Sequence, residues 1–484
     1  MGVGCSFFGT SSINKEVNDK SNSTKDPPQK LQKEISKEIM PDLSLFASKS
    51  EIIITFKEQT KSFIYANNKN MKELFERFAS KININIKKIF FLYNNYIIKE
   101  TDSFKKIANK EDKKRDKMNI VPIDKIKLYE YRKNKFYIFN KNPNFKAAFY
   151  IYNTNDKGIN DIFEVFLSVK DNTEYLVVYN KKAKRLNIYQ LLYNKLVLSL
   201  YGHTNNVTSI RYFFNNKSYD EYLISADSDK IVIIWDITKN YEMKYKINTF
   251  YSKHGLIYSC LLVFPNNQND DYIITSIDSC EHFDNEKTST KIYSLNNGEF
   301  IKDIKNTSDV DIYYLLSWYN KIDKNFYIIQ LGNRKIIISN LLNDELYSLS
   351  HEPEHCHNHG LIYSKDNTDY LCSTSANGYI NIWDLYKKSL FKCFYIKNSY
   401  LMTIIEWNYK YIIVADYRNN GYKIIDKEKG KVISDIKNIH NEGVICIKKI
   451  FHPNYGESLF TSAREDTIKL WRVRKENVKF SSIL

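Results

Sequence analysis

No stretch of this 484-residue chain supplies the run of about 18 apolar residues that a bilayer-crossing helix needs, so no segment is read as spanning a membrane. Cysteines at metal-site or redox-site spacing are missing too. The seven cysteines stand at 5, 260, 280, 356, 372, 393 and 446, with no C-x-x-C among them. An odd, unpatterned set points to free thiols in a reducing compartment. There is no G-x-x-x-x-G-K-[ST] to cradle a nucleotide phosphate and no G-x-S-x-G to present a nucleophilic serine. Phe7 and Phe8 give way at once to polar residues, so no secretory signal is read there.

What is present fits a folded chain of two or three domains with a large core. Hydrophobic residues make up 43% and aromatics 15%, which excludes a wholly disordered chain. The formal net charge is +16. The lysines are scattered and interleaved with Asp and Glu, which reads as a solvated surface rather than a nucleic-acid footprint.

The strongest pattern is an internal repeat. Glu221 to Ile237 reads EYLISADSDKIVIIWDI: a short apolar strand, an Asp/Ser turn and a second strand closed by Trp-Asp. Versions of it recur at Tyr370 to Leu385 (YLCSTSANGYINIWDL) and Ser458 to Val473 (SLFTSAREDTIKLWRV). From Asn134 onward short strands alternate with turns, and seven units of about 40 to 50 residues fit between Asp161 and Phe480. The unit resembles the WD repeat, and the region 134–484 therefore resembles a seven-bladed WD-repeat β-propeller. One of the strands at Phe136 to Phe139 and Ala147 to Tyr152 is expected to close the ring as the outer strand of the last blade. In WD repeats a His, a Ser or Thr, an Asp and the Trp share hydrogen bonds. The resemblance assigns those roles to His203, Ser225, Asp229 and Trp235 in the second blade, and to Ser373, Asn377 and Trp383 in the fifth. In the seventh it assigns them to His440, Ser462, Glu465 and Trp471. These are expected to be structural.

Residues 50–125 change character. Ile52 to Phe56 and Ser62 to Ala66 read as a hairpin. Asn70 to Ile82 reads as a helix with Met71, Leu74, Phe75, Phe78, Ala79 and Ile82 on one face, Asn70 as N-cap and Glu73 as its capping-box partner. A strand, an Asn94-Asn95 turn, a short strand and a last strand at Met118 to Ile123 follow. This small α+β order resembles the ubiquitin-like β-grasp fold. No Gly-Gly follows the last strand, so the resemblance implies docking and not conjugation.

The first residues read MGVGCS. Met removal exposes Gly2 with Ser6 at the position an N-myristoylation pattern requires, and Cys5 stands ready for palmitate. One acyl chain binds a membrane marginally and two bind it stably. Residues 1–49 otherwise read as a disordered tether with a short helix near Leu31 to Ile39. Its charges nearly balance, so it is no polybasic clamp.

Chemistry is dense in one place only, HEPEHCHNH at 351–359. Its H-E-x-x-H needs a helix that Pro353 forbids. It is expected to be a polar loop between blades, with metal binding by His355, Cys356, His357 and His359 as the alternative. The reading is a non-catalytic protein-interaction scaffold without a cofactor. It is held on the cytoplasmic face of a membrane by acyl chains, with partner proteins docking on the propeller faces and the ubiquitin-like module. The alternative is a substrate receptor of a cullin-type ubiquitin ligase. Such receptors carry Trp-Asp-x-Arg, and Trp471-Arg472-Val473-Arg474 keeps the Arg but lacks the Asp.

Overall fold

A computed structural model describes residues 37–39, 48–128 apart from 57–58, 95 and 126, and 145–151. It further describes 159–249, 256–264, 271–278, 289–305, 311–350 apart from 342 and 344, 356–464 apart from 455, and 467–473. The chain divides into two compact units, Ser11–Lys133 and one that holds Asn134–Leu484.

The smaller unit is a mixed sheet with one main helix. Strands Lys49–Phe56 and Gln59–Ala66 form an antiparallel hairpin. Lys49–Phe56 also pairs in parallel with Lys117–Asp124, which pairs antiparallel with Ile89–Tyr93. The parallel pairing requires a crossover, and helix Lys72–Lys81 lies within it. The helix buries Leu74, Phe75, Phe78 and Ala79. Phe75 stacks on Phe91 with ring centroids 3.8 Å apart. Asn94 takes a positive φ of 48° at the expected turn, a conformation Asn tolerates. Asn70, however, does not cap the helix: Met71 occupies the N-cap position, with no side-chain cap bond. The amides of Met71 and Lys72 donate to the carbonyls of Asp102 and Glu100, so a distant loop caps the helix. Glu73 turns to Arg77 instead, at 2.7 Å. Residues Lys37–Ile39, expected within a helix of the tether, form a strand parallel to Ser62–Ile64.

The larger unit is almost wholly β. Among the described residues it contains seven four-stranded antiparallel sheets. Sheets 1, 2 and 3 span 159–201, 207–248 and 256–305. Sheets 4, 5 and 6 span 312–349, 357–395 and 401–436. Sheet 7 takes strands Val444–His452, Gly456–Ala463 and Thr467–Val473, and its fourth strand is Phe145–Ile151. The first strand of each sheet packs on the first strand of the next, and those of sheets 7 and 1 also touch. The succession closes on itself. Second strands are buried on both faces, as Glu174–Asn180, Glu221–Asp227 and Tyr411–Asp416 show along their whole length. That burial explains their near-continuous apolar runs. Fourth strands are edges. In sheets 1, 2, 3, 5 and 6 a register shift opposite the third strand bends the fourth. Such a bulge hinders edge-to-edge pairing.

The pairing of 145–151 with 467–473 makes the start of the propeller region hold its end. Deleting 134–158 should leave sheet 7 with an unpaired edge and lower the thermal midpoint by at least about 5 °C. A melt followed by circular dichroism checks this, and an unchanged midpoint would remove the latch.

Candidate functional site

In sheet 2 the repeat residues converge as a buried chain of hydrogen bonds. His203 Nδ1 lies 2.8 Å from Asp227 Oδ2 and its Nε2 2.7 Å from Ser225 Oγ. The Trp235 indole N–H donates to Ser225 Oγ at 2.9 Å. One proton arrangement satisfies all four groups: Trp235 donates to Ser225, Ser225 to His203 Nε2, and His203 Nδ1–H to Asp227. The acid is therefore Asp227 and not Asp229. Asp227 follows Ser225 by two residues on the same strand, which puts both on one face. Its other oxygen accepts from the amides of Asp229 and Ile231, both at 3.0 Å, and so ties down the turn. Asp229 stands exposed in that turn and accepts from Thr204 and Asn205. The trio has the composition of a hydrolytic triad. Ser225 is fully buried and already bonded to the indole, so its hydroxyl cannot reach a substrate.

The other expected networks shift in the same way. In sheet 7 both His440 Nε2 and the Trp471 indole N–H meet Thr461 Oγ1, at 2.9 and 2.8 Å. Ser462 points to the opposite face, the position two beyond Thr461 is Ala463, and Glu465 lies outside the described residues. In sheet 5 the Trp383 indole N–H donates to Ser373 Oγ at 3.1 Å. Ser375 takes the place of Asp227 and accepts from the Tyr379 amide at 3.0 Å. Asn377 is an exposed turn residue. Sheet 6 has no such tryptophan and uses a buried ion pair, with Lys423 Nζ 3.2 Å from Asp416 and also bonded to Asp435.

A second set of polar residues went unnoticed in the sequence. A residue at or beside the start of the second strand is often acidic: Glu174, Glu221, Asp271 and Asp369 each precede Tyr-Leu or Tyr-Ile. Three of these acids reach back to the preceding sheet. Glu221 accepts from Ser168 Oγ at 3.2 Å, from the Val169 amide at 3.0 Å, and from the Lys170 amide, all in sheet 1. It also accepts from the Tyr212 hydroxyl. Asp271 accepts from Asn215 Nδ2 of sheet 2 at 2.8 Å. Asp369 binds the Trp318 indole N–H and Lys321 Nζ of sheet 4, each at 3.1 Å, with Ser364 and Tyr386 of its own sheet. Burial pushes the Glu221 carboxyl up to about 6 although four hydrogen bonds oppose it. Burial also acts to raise Asp369, but its hydrogen bonds outweigh it and hold the carboxyl below the usual range.

The axis of the ring carries charge. Glu164, Arg211 and Lys448 occupy equivalent positions on the first strands of sheets 1, 2 and 7. Lys448 Nζ lies 3.0 Å from both Glu164 oxygens. Arg211, 1% exposed, donates to Ser259 of sheet 3 and to the Leu315 carbonyl of sheet 4, both at 3.0 Å. Its guanidinium sits 4.5 Å over the Tyr314 ring, and Tyr314 stacks on His359 at 3.9 Å. Side chains of the first strands thus reach one another across neighbouring and non-neighbouring sheets at this level.

His357 and His359 start the first strand of sheet 5 and are buried, not in a loop as expected. The tight packing of His359 on Tyr314 accounts for its burial. Cys356 is half-buried, while His351 and His355 lie outside the described residues. Among the described residues no three His, Cys, Asp or Glu side chains are placed to hold a metal ion. Gly2, Cys5 and Ser6 lie outside the described residues.

A family model described as WD domain, G-beta repeat matches residues 194–236. The match runs from the outer strand of sheet 1 to Asp236, at the end of the third strand of sheet 2. No curated relative matches the chain. One repeat match and a succession of four-stranded antiparallel sheets together fit a WD-repeat β-propeller.

Replacing Asp227 with Ala leaves His203 Nδ1–H and two turn amides without their acceptor, and should cost about 2–4 kcal/mol. The same change at Asp229 should cost under about 1 kcal/mol. Denaturant unfolding compares them, and equal costs would contradict the assignment. Glu221 makes stability depend on pH. Its folded value of about 6 exceeds the ordinary 4.5, so the folded state holds the proton longer. Its contribution is fully present below pH 4.5 and is lost as pH rises through 6. The stability of the parent relative to Glu221→Gln should therefore fall by about 2 kcal/mol across that window. A flat difference would contradict this.

Proposed function

We propose that this chain is a non-catalytic platform on which partner proteins assemble, held at the cytoplasmic face of a membrane by myristate on Gly2 and palmitate on Cys5. The observation that carries the platform reading is where its reactive groups are spent. Ser225, His203, Asp227, Lys448, Glu164 and Arg211 are buried and bonded to one another or to the backbone, so they hold sheets together. WD repeats generally mediate protein–protein contact, and the repeat match at 194–236 supports that role here.

In this reading the seven four-stranded sheets are the blades of one propeller. Residues 50–125 form a ubiquitin-like β-grasp module. Its hairpin, single long helix and parallel pairing of Lys49–Phe56 with Lys117–Asp124 support that identification. No helix among the described residues is long and apolar enough to cross a membrane. In this reading the acyl chains supply the attachment. The mechanism is local concentration: two docking modules on one tethered chain convert encounters between partners into intramolecular ones.

The anchor is tested by substitution. Gly2→Ala should move the protein from the membrane to the soluble fraction, and Cys5→Ser should weaken retention, because one acyl chain binds only marginally. Fractionation of cells expressing the tagged full chain gives the readout. A Gly2→Ala protein that stays fully membrane-bound would contradict the anchor.

A further inference from the structure

The turns between third and fourth strands all lie at one end of the sheets, and their charge is unevenly shared. Those of sheets 3 and 4, residues 295–299 and 341–345, carry three acids and no base. Those of sheets 5 and 6, residues 385–388 and 427–431, carry five lysines and one glutamate. Hydrogen bonds and packing hold the lysine-bearing turn of sheet 6 against the outer strand that continues from the lysine-bearing turn of sheet 5. Lys392, on the fourth strand of sheet 5, donates to the Glu428 carbonyl of sheet 6 at 3.0 Å. Lys365 pairs with the Glu428 carboxylate. Gly430, at φ 66°, lies so close to Phe394 that a Cβ there would stand 2.0 Å from the ring. The Lys427 amide donates to the Lys410 carbonyl, which brings in the turn 407–410.

Aromatic side chains run through the same surface. Lys427 lies over Tyr363, Tyr363 stacks on Tyr370, and Tyr370 meets Phe391. Phe391 is 51% exposed and Tyr409, beside Lys410, is 80% exposed. The nearby acids Asp369, Asp384 and Asp426 are buried, which leaves Asp323, Glu345, Asp366 and Glu428 as exposed negative groups near Lys387, Lys388, Lys429 and Lys431.

We propose that this lysine-rich, aromatic-studded face of sheets 5 and 6 lies against an anionic phospholipid surface. Lysines near such a surface each contribute about 1 kcal/mol, and exposed aromatic rings settle at the headgroup level. The proposal rests on the membrane reading above and extends it. The charges of the 1–49 segment nearly balance, with seven lysines against six acids, so the propeller itself would supply the charged signal that complements the acyl chains.

Full-length protein made without acylation tests the face independently of the anchor. It should bind vesicles of phosphatidylcholine with about 30% phosphatidylserine and ignore pure phosphatidylcholine, with binding lost at high salt. Reversal of Lys387, Lys388, Lys429 and Lys431 to Glu should lower binding at least about tenfold. The four Lys→Gln changes should give an intermediate loss, with thermal melts matching the parent. Lys181→Glu with Lys182→Glu, at the opposite end of the sheets, should leave binding intact. Absent binding, or equal loss in that control, would overturn the proposal. So would single-stranded RNA or an acidic peptide binding as tightly with the same dependence on the four lysines, or release of the vesicles by inorganic phosphate at constant ionic strength. Vesicle binding by the unacylated chain alongside an ineffective Gly2→Ala would overturn the anchor alone.

Discussion

A four-stranded sheet of this kind cannot stand alone. Both faces of its second strand are apolar and must be covered by the sheets on either side. The polar contacts that fix one sheet against the next therefore set the conditions for everything else. Glu221, Asp271 and Asp369 each stand at or beside the start of a second strand and accept hydrogen bonds from the sheet before. Apolar packing between sheets is strong but carries little positional information, whereas a carboxylate with three or four fixed donors tolerates one register. The burial that raises Glu221 is the cost of that definition.

The same logic extends to the axis. Truncating one partner of the Lys448–Glu164 pair would strand a buried charge and cost about 3–5 kcal/mol. Arg211 reaches from sheet 2 to the backbone of sheet 4, so it links sheets that do not pack as neighbours. The surface offers the rim, the two ends and the outer strands. Those places differ in character, as the acidic turns of sheets 3 and 4 and the lysine-rich turns of sheets 5 and 6 show.

Much of this was legible in the sequence, and the failures have physical causes. Alternating strands and the three Trp-bearing repeats sufficed to outline the sheets and left two candidates for the N-terminal strand that completes the last one, of which the later pairs with 467–473. Single residues were harder. SADSD offers two aspartates near Ser225, and only strand alternation separates Asp227, on the serine's face, from Asp229 in the turn. TSA offers two adjacent hydroxyls. The spacing of ten residues between the hydroxyl and the tryptophan, seen in Ser225–Trp235 and Ser373–Trp383, would have chosen Thr461 over Ser462. The acid before Tyr-Leu or Tyr-Ile was visible in four units but unremarked, because its partners lie in a different repeat. Asn70 failed as a cap because the carbonyls of Glu100 and Asp102 arrive from a loop that local sequence does not reveal.

The central claim is that the seven sheets form one closed, mutually fastened body. Hydrogen–deuterium exchange of the full chain under native conditions tests it most directly. The account predicts that amides of the second and third strands in all seven sheets, with those of Phe145–Ile151, exchange through one common opening and share one protection level. Fast, independent exchange of sheet 7 and Phe145–Ile151, with the other sheets still protected, would contradict it.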